Sequence, residues 1–175
     1  MTRLLIPCIV LLVSCSLPEK EQEAAYDFYV DLDEEIAKLK ESKLRFVKYA
    51  ELNGQRDTSE VEPEWDSEFE LFRKADVNQS RSSAFYDLET NKWGFELTYH
   101  LTAKEEAQGT QWVRHVYSDD QLTKVEYYYE EQDVLRKFQA RLVYEPGIGL
   151  YQEVRTELKG SGVQKTKVQL AFIAP

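Results

Sequence analysis

Cysteine and histidine are scarce, with two of each in 175 residues. Two cysteines exclude a disulfide scaffold. His100 and His115 have no Cys, His or Asp at metal-ligand spacing, which argues against zinc sites and most histidine-dependent chemistry. Positive charge is also short: Lys+Arg 22 stands against Asp+Glu 32, a formal net charge of -10 with pI about 4.8. A chain of that sign lacks the electrostatic footprint of a DNA- or RNA-binding protein. There is no Gly-x-Ser-x-Gly elbow, no Walker loop and no dinucleotide fingerprint. What is present is 42% hydrophobic residues, 13% of the chain being aromatic. That suffices for a core despite 31% charge, so whole-chain disorder is excluded, and the length suits one domain.

The N-terminus has the layout of a processing signal. Arg3 precedes an apolar run from Leu4 to Val13, and Ser14 then precedes Cys15. The run is too short for a bilayer core that needs about 20 helical residues, so it reads as the h-region of a secretory signal. Leu12-Val13-Ser14-Cys15 follows the pattern of a bacterial lipobox, and here the chain resembles the bacterial lipoprotein precursors. Cys8 is not a rival, since Pro7 stands where a small residue is required. The resemblance implies diacylglycerol on the Cys15 sulfur, cleavage before it and acylation of the new amino group; a plain secretory signal with an incidental cysteine is the alternative. Two or more acyl chains anchor stably where one is marginal. On this reading 1–14 is signal peptide, 15–23 is lipidated cysteine and tether, and 24–175 is a single domain. The mature domain then has no free thiol.

Ser16 is not the aspartate that can retain such lipoproteins at the inner membrane, so the analogy favours the outer membrane, on its periplasmic side or at the cell surface. The acidic stretch Glu19-Lys20-Glu21-Gln22-Glu23 reads as a solvated tether or first helical turn, with surface export as the alternative. Asn78-Gln79-Ser80 matches a glycosylation sequon that bacteria do not normally use.

Phe28, Leu32, Ile36 and Leu39 recur at spacings of three and four, which predicts a helix from about Glu21 to Ser42 with one apolar stripe. Acids crowd its start and lysines its end, as the helix dipole favours. The pattern then changes to alternation: Leu44, Phe46, Ala50 and Leu52 share a side, broken only by Lys48, and Asn53-Gly54 follows. This predicts a hairpin of Leu44–Leu52 with Gln55–Glu62. The alternative continues the first helix to Leu52. Pro63 opens a second helix, striped by Trp65, Phe69, Phe72 and Ala75 and ending near Asp76.

From Ser83 onward the chain reads as strands. Trp93, Phe95, Leu97, Tyr99 and Leu101 alternate with polar residues, and later segments repeat the pattern to give seven strands in succession. Turns are expected at Thr90-Asn91, Ser118-Asp119-Asp120, Glu131-Gln132-Asp133, Pro146-Gly147 and Gly160-Ser161-Gly162, with a longer loop from Ala103 to Thr110. The expected architecture is α+β: an N-terminal helix and a short second helix on a large, curled antiparallel meander of about seven strands plus the hairpin. The block Trp65-x3-Phe69-x2-Phe72-x2-Ala75-Asp76-Val77-Asn78, between an acidic helix and a C-terminal meander, also resembles a group of short, uncharacterised Gram-negative lipoproteins, a likeness that implies no particular chemistry.

The carboxylates of Asp31-Leu32-Asp33-Glu34-Glu35 fail as a calcium loop, because Ile36 stands where the sharp turn requires glycine. They read better as a solvated helix face. Asp119-Asp120 and Glu130-Glu131 fall in expected turns, where charge is ordinary, so they do not argue for acid–base catalysis. No catalytic, cofactor-binding or metal-binding residue is assigned. Most aromatics fall on the expected inward face; Trp112, Tyr128 and Tyr151 are out of phase and are the candidates for a binding surface. The expectation is a non-enzymatic, lipid-anchored outer-membrane protein, held to the membrane at Cys15, that binds an envelope protein or serves an envelope structural role. The alternative is a carrier or chaperone holding a lipid, lipoprotein or other apolar ligand between sheet and helix, since helices on a curled sheet look like the lipoprotein-chaperone and lipid-carrier folds of the bacterial envelope.

Overall fold

The computed structural model describes residues 27–42, 44–77, 85–104 and 109–173. The signal segment, Cys15, the acidic tether and Asn78-Gln79-Ser80 lie outside the described residues, as do the side chains of Phe28 and Leu32.

The element order is helix α1 (Asp27–Glu41), strands β1 (Arg45–Leu52) and β2 (Gln55–Val61), short helices α2 (Trp65–Glu68) and α3 (Glu70–Ala75), then β3 (Tyr86–Trp93), β4 (Glu96–Ala103), β5 (Gly109–Ser118), β6 (Gln121–Gln132), β7 (Arg136–Glu145), β8 (Gly149–Leu158) and β9 (Gly162–Ile173). The expected hairpin forms about Asn53-Gly54, whose φ values of 50° and 89° suit a type I′ turn. A first helix running on to Leu52 is thereby excluded, since α1 ends at Glu41 and β1 follows.

The sheet differs from the expectation in extent. β3 to β9 form the seven-strand meander, and β1 then pairs antiparallel with β9, giving one open nine-stranded sheet in the order β2-β1-β9-β8-β7-β6-β5-β4-β3. Among the described residues the fold is predominantly β, with helices of 15, 4 and 6 residues. Gly149 fits β8 beside β9: its φ is +147°, and an added Cβ would lie 2.0 Å from the Leu170 carbonyl oxygen.

Two turns are displaced from their expected places. Thr90-Asn91 lies inside β3, and the chain reverses instead at Gly94-Phe95, between paired Trp93 and Glu96. Glycine at the first central position, with φ +60°, is the signature of a type II′ turn, and it overrides the weaker Thr-Asn signal. Phe95, expected to point inward, is therefore 81% exposed at a hairpin tip, and Trp93 is 89% exposed. Leu97, Tyr99 and Leu101 keep the expected phase. The β6–β7 turn is shifted to Asp133–Leu135, where the Asp133 carboxylate accepts 2.8 Å hydrogen bonds from the Leu135 and Arg136 amides.

The core lies between one face of the sheet and the helices. Phe69 and Phe72 are fully buried, Phe69 against Tyr144 of β7 and Phe72 edge-on to Tyr127 of β6, while Trp65 meets Phe46 of β1. Ile36 and Leu39 bury the described part of the α1 stripe. Lys48, the break in the β1 alternation, reaches across this face to Glu68 of α2, whose carbonyl also accepts from Gln152 of β8. Thr110 of β5 donates its hydroxyl to the Ala75 carbonyl and receives the Tyr86 hydroxyl on its own carbonyl, which ties the end of α3 to the sheet. Lys48, Gln152, Thr110 and Tyr86 thus each meet a helix or a neighbouring strand.

Candidate functional site

Side chains alternate across the sheet, so cross-strand partners share a face and register defines rows. The helix-covered face carries Val125, Tyr127 and Tyr129 from β6. The other face carries Glu126, Tyr128 and Glu130, and no described helix packs on it. His115 shares the inner face with Val113, as its position implies, and is 1% exposed. Burial lowers its pKa from 6.5 to about 3, so the imidazole is neutral at physiological pH.

All three aromatic candidates lie on the open face. Trp112 and Tyr128 are register partners on β5 and β6, with ring centroids 6.1 Å apart and an interplanar angle of 20°, and His100 of β4 meets Trp112 edge-on at 6.1 Å. Tyr151, on β8, is not part of that stack: Tyr128 pairs with Arg141 of β7, and Arg141 pairs with Glu153 of β8, so one strand separates the two aromatic positions. The Tyr128 hydroxyl lies 2.9 Å from the Gln139 amide and 3.2 Å from the Glu130 carboxylate. Tyr151 donates to Glu153 at 3.0 Å. Both phenols have pKa values raised by desolvation first and then by the neighbouring carboxylate.

Between these positions sits a group that sequence alternation does not reveal. Glu126 belongs to the open face yet is only 2% exposed, because Arg114 from β5 and Arg141 from β7 close over it, with 2.5 Å and 2.6 Å contacts. Desolvation pushes its pKa up, but hydrogen bonds and charge from Arg141 and Arg114 outweigh that and hold it below the usual carboxylate value. Glu130 pairs with Lys137 at 2.8 Å on this face, whereas Glu131 reaches Lys74 of α3 at 2.9 Å on the other. Asp119 and Asp120 occupy the turn at the far end of β6 with positive φ, so the two carboxylate pairs do not converge.

Concavities lined by described residues accompany the sheet. One, of about 260 Å³, opens on the outer face around Tyr49, Gln169 and Tyr151. A larger cleft of about 760 Å³ lies between the end of α1 and the β1–β2 hairpin, lined by Leu39, Leu44, Phe46, Val61 and Trp65 together with Arg45 and Glu60. Tyr49 was open to sequence reasoning, since it falls opposite the Phe46, Ala50 and Leu52 side of β1. Gln169 carried no signal. Among the described residues no cluster of three or more His, Cys, Asp or Glu could hold a metal ion, and no helix is long and apolar enough to cross a membrane. No protein-family model, curated protein or solved structure matches the chain.

Proposed function

We propose that this protein is a lipid-anchored outer-membrane lipoprotein, without enzymatic activity, that binds an envelope component through the open face of its sheet. The lipid reading is supported by Leu12-Val13-Ser14-Cys15. The binding reading rests on one observation: the helices fill one face with fully buried Phe69 and Phe72, while Trp112, Tyr128 and Tyr151 stand half-exposed on the other amid polar groups held in place by cross-strand ion pairs. Half-exposed aromatics with polar handles suit recognition surfaces, where one end of the ring is dry and the other wet.

The test places photo-cross-linking residues singly at Gln169, Arg155 and Lys38 in intact cells. The first two belong to the open face and Lys38 to α1, and all three are exposed. Adducts from Gln169 and Arg155, without adducts from Lys38, are expected; adducts confined to Lys38 overturn the reading. Cys15→Ala should leave a soluble or unprocessed precursor, whereas mature-sized protein still on the membrane would end the lipoprotein assignment.

The carrier reading is favoured by the α1–β1 cleft, whose volume falls within the roughly 300–1,000 Å³ of ligand pockets. An apolar ligand seated there would raise the melting temperature saturably. Leu44→Glu at its mouth would abolish the shift if the cleft were the site.

A further inference from the structure

The geometry points to the slot between Tyr49 and Tyr151 as a site for one neutral sugar ring of a glycan. This rests on the open face being the binding face and names what one part of it holds.

Register aligns two neighbouring rows over this part of the sheet. The first runs Thr58, Tyr49, Gln169, Tyr151 across β2, β1, β9 and β8. The second runs Arg56, Glu51, Lys167, Glu153 across the same strands. The first row is uncharged; the second alternates in sign and pairs internally, with Arg56 to Glu51 at 2.9 Å and Lys167 to Glu153 at 3.4 Å. The lining charges therefore cancel, two basic (Arg56, Lys167) against two acidic (Glu51, Asp57). A charged ligand would have to break these pairs, but a neutral one would not.

Size and spacing narrow the class. Adjacent strands lie about 4.8 Å apart, so Tyr49 and Tyr151, two strands apart, have backbone positions separated by about 10 Å. A ring held between two aromatic walls needs two contacts of about 3.5–4.0 Å, or about 7–8 Å in all. The slot of about 260 Å³ lies below the usual range for drug-sized ligands. One saturated ring fits that space. A hexose offers C–H faces to the tyrosines and a hydroxyl to the Gln169 amide, which lies between them on β9.

The experiment is calorimetric titration of the full chain in detergent with maltotriose and with an N-acetylglucosamine trisaccharide as neutral glycans, and with a proline-rich peptide. At least one glycan should bind saturably, and Tyr49→Ala and Gln169→Ala should each weaken it tenfold or more. Both residues are exposed, so these variants keep the fold. Lys38→Ala, exposed on α1 and away from the open face, should change the affinity less than twofold. No binding of either glycan, or binding of the peptide alone, overturns the assignment. If a glycan binds but depends on Trp112 and not on Tyr49, the slot is wrong while the open face still binds; adducts confined to Lys38 would instead remove the face itself.

Discussion

The two faces of the one sheet use the same residue types for different ends. On β6, Val125, Tyr127 and Tyr129 point to the helices, and Glu126, Tyr128 and Glu130 point away, all within six consecutive residues. Tyr127 is held by an edge-on Phe72 and lies deep in the core, where burial raises its phenol pKa. Tyr128 stacks on Trp112 and hydrogen-bonds to Gln139 while remaining half-exposed. On the inner face aromatic area leaves water for good, and so supplies stability. On the open face the rings are held in place by polar neighbours without being removed from water, which leaves their remaining surface exposed.

The largest effect should come from breaking the inner face where nothing else compensates. Phe72 is fully buried between α3 and β6, so Phe72→Ala should destabilise by about 3–5 kcal/mol in urea unfolding, a large share of the 5–15 kcal/mol of a typical domain. A loss no greater than that of an open-face truncation would erase the distinction between the faces.

His115 sharpens the same contrast through pH. Its imidazole stays neutral in the fold down to about pH 3, whereas the unfolded chain takes up a proton below about 6.5. Protonation therefore favours the unfolded state as pH falls. Stability is unaffected by this group above pH 6.5 and declines below it, by about 2.5–3 kcal/mol between pH 7 and 4.5. His115→Phe, which retains an aromatic ring beside Tyr127, should flatten that part of the stability profile measured by urea melts across pH. An unchanged slope would mean that the imidazole is not held neutral.

The open face has one position of structural weight. Removing Glu126 leaves Arg114 and Arg141 facing one another, so Glu126→Leu should cost about 1.5–3 kcal/mol, the usual range for hydrogen bonds to charged groups. Because the Glu126 pKa is held down in the fold, its contribution is present above about pH 4.5 and is lost as pH falls through the lower folded value. A loss under 0.5 kcal/mol at pH 7 would make the triad ornamental and the open face wholly free to vary.

Strand phase was legible because period-two alternation is local: the faces of β4 to β9 and the Asn53-Gly54 hairpin follow from the order of residues alone. The joining of β1 to β9 was not, because the pairing partners are more than a hundred residues apart and either strand alternates equally well without the other. Trp112, Tyr128 and Tyr151 were out of phase in sequence and stand on one face in the structure, but their division into a stack and a separate slot depends on which strands lie between them. Glu126 read as an ordinary wet-face residue between valine and tyrosine. Its burial is created by arginines from two other strands, which no local pattern carries.

The smallest expected effect tests the β3–β4 hairpin, where local reading misplaced both the turn and Phe95. An inward Phe95 would be as costly to truncate as Leu101, which is buried at 4% exposure on the inner face of β4. In the structure Phe95 sits at the β3–β4 tip, where truncation gives up little contact. Phe95→Ala should therefore change stability by less than about 0.5 kcal/mol, while Leu101→Ala costs about 2–5. Gly94→Ala separates the turn from the side chain beside it. No atom outside the turn crowds a Cβ at Gly94, so any loss must come from the strain of an L-residue at φ +60°, expected at about 1 kcal/mol. A destabilised Gly94→Ala beside a neutral Phe95→Ala fixes the reversal at this turn. The opposite pattern would return Phe95 to the core and move the reversal back toward Thr90-Asn91.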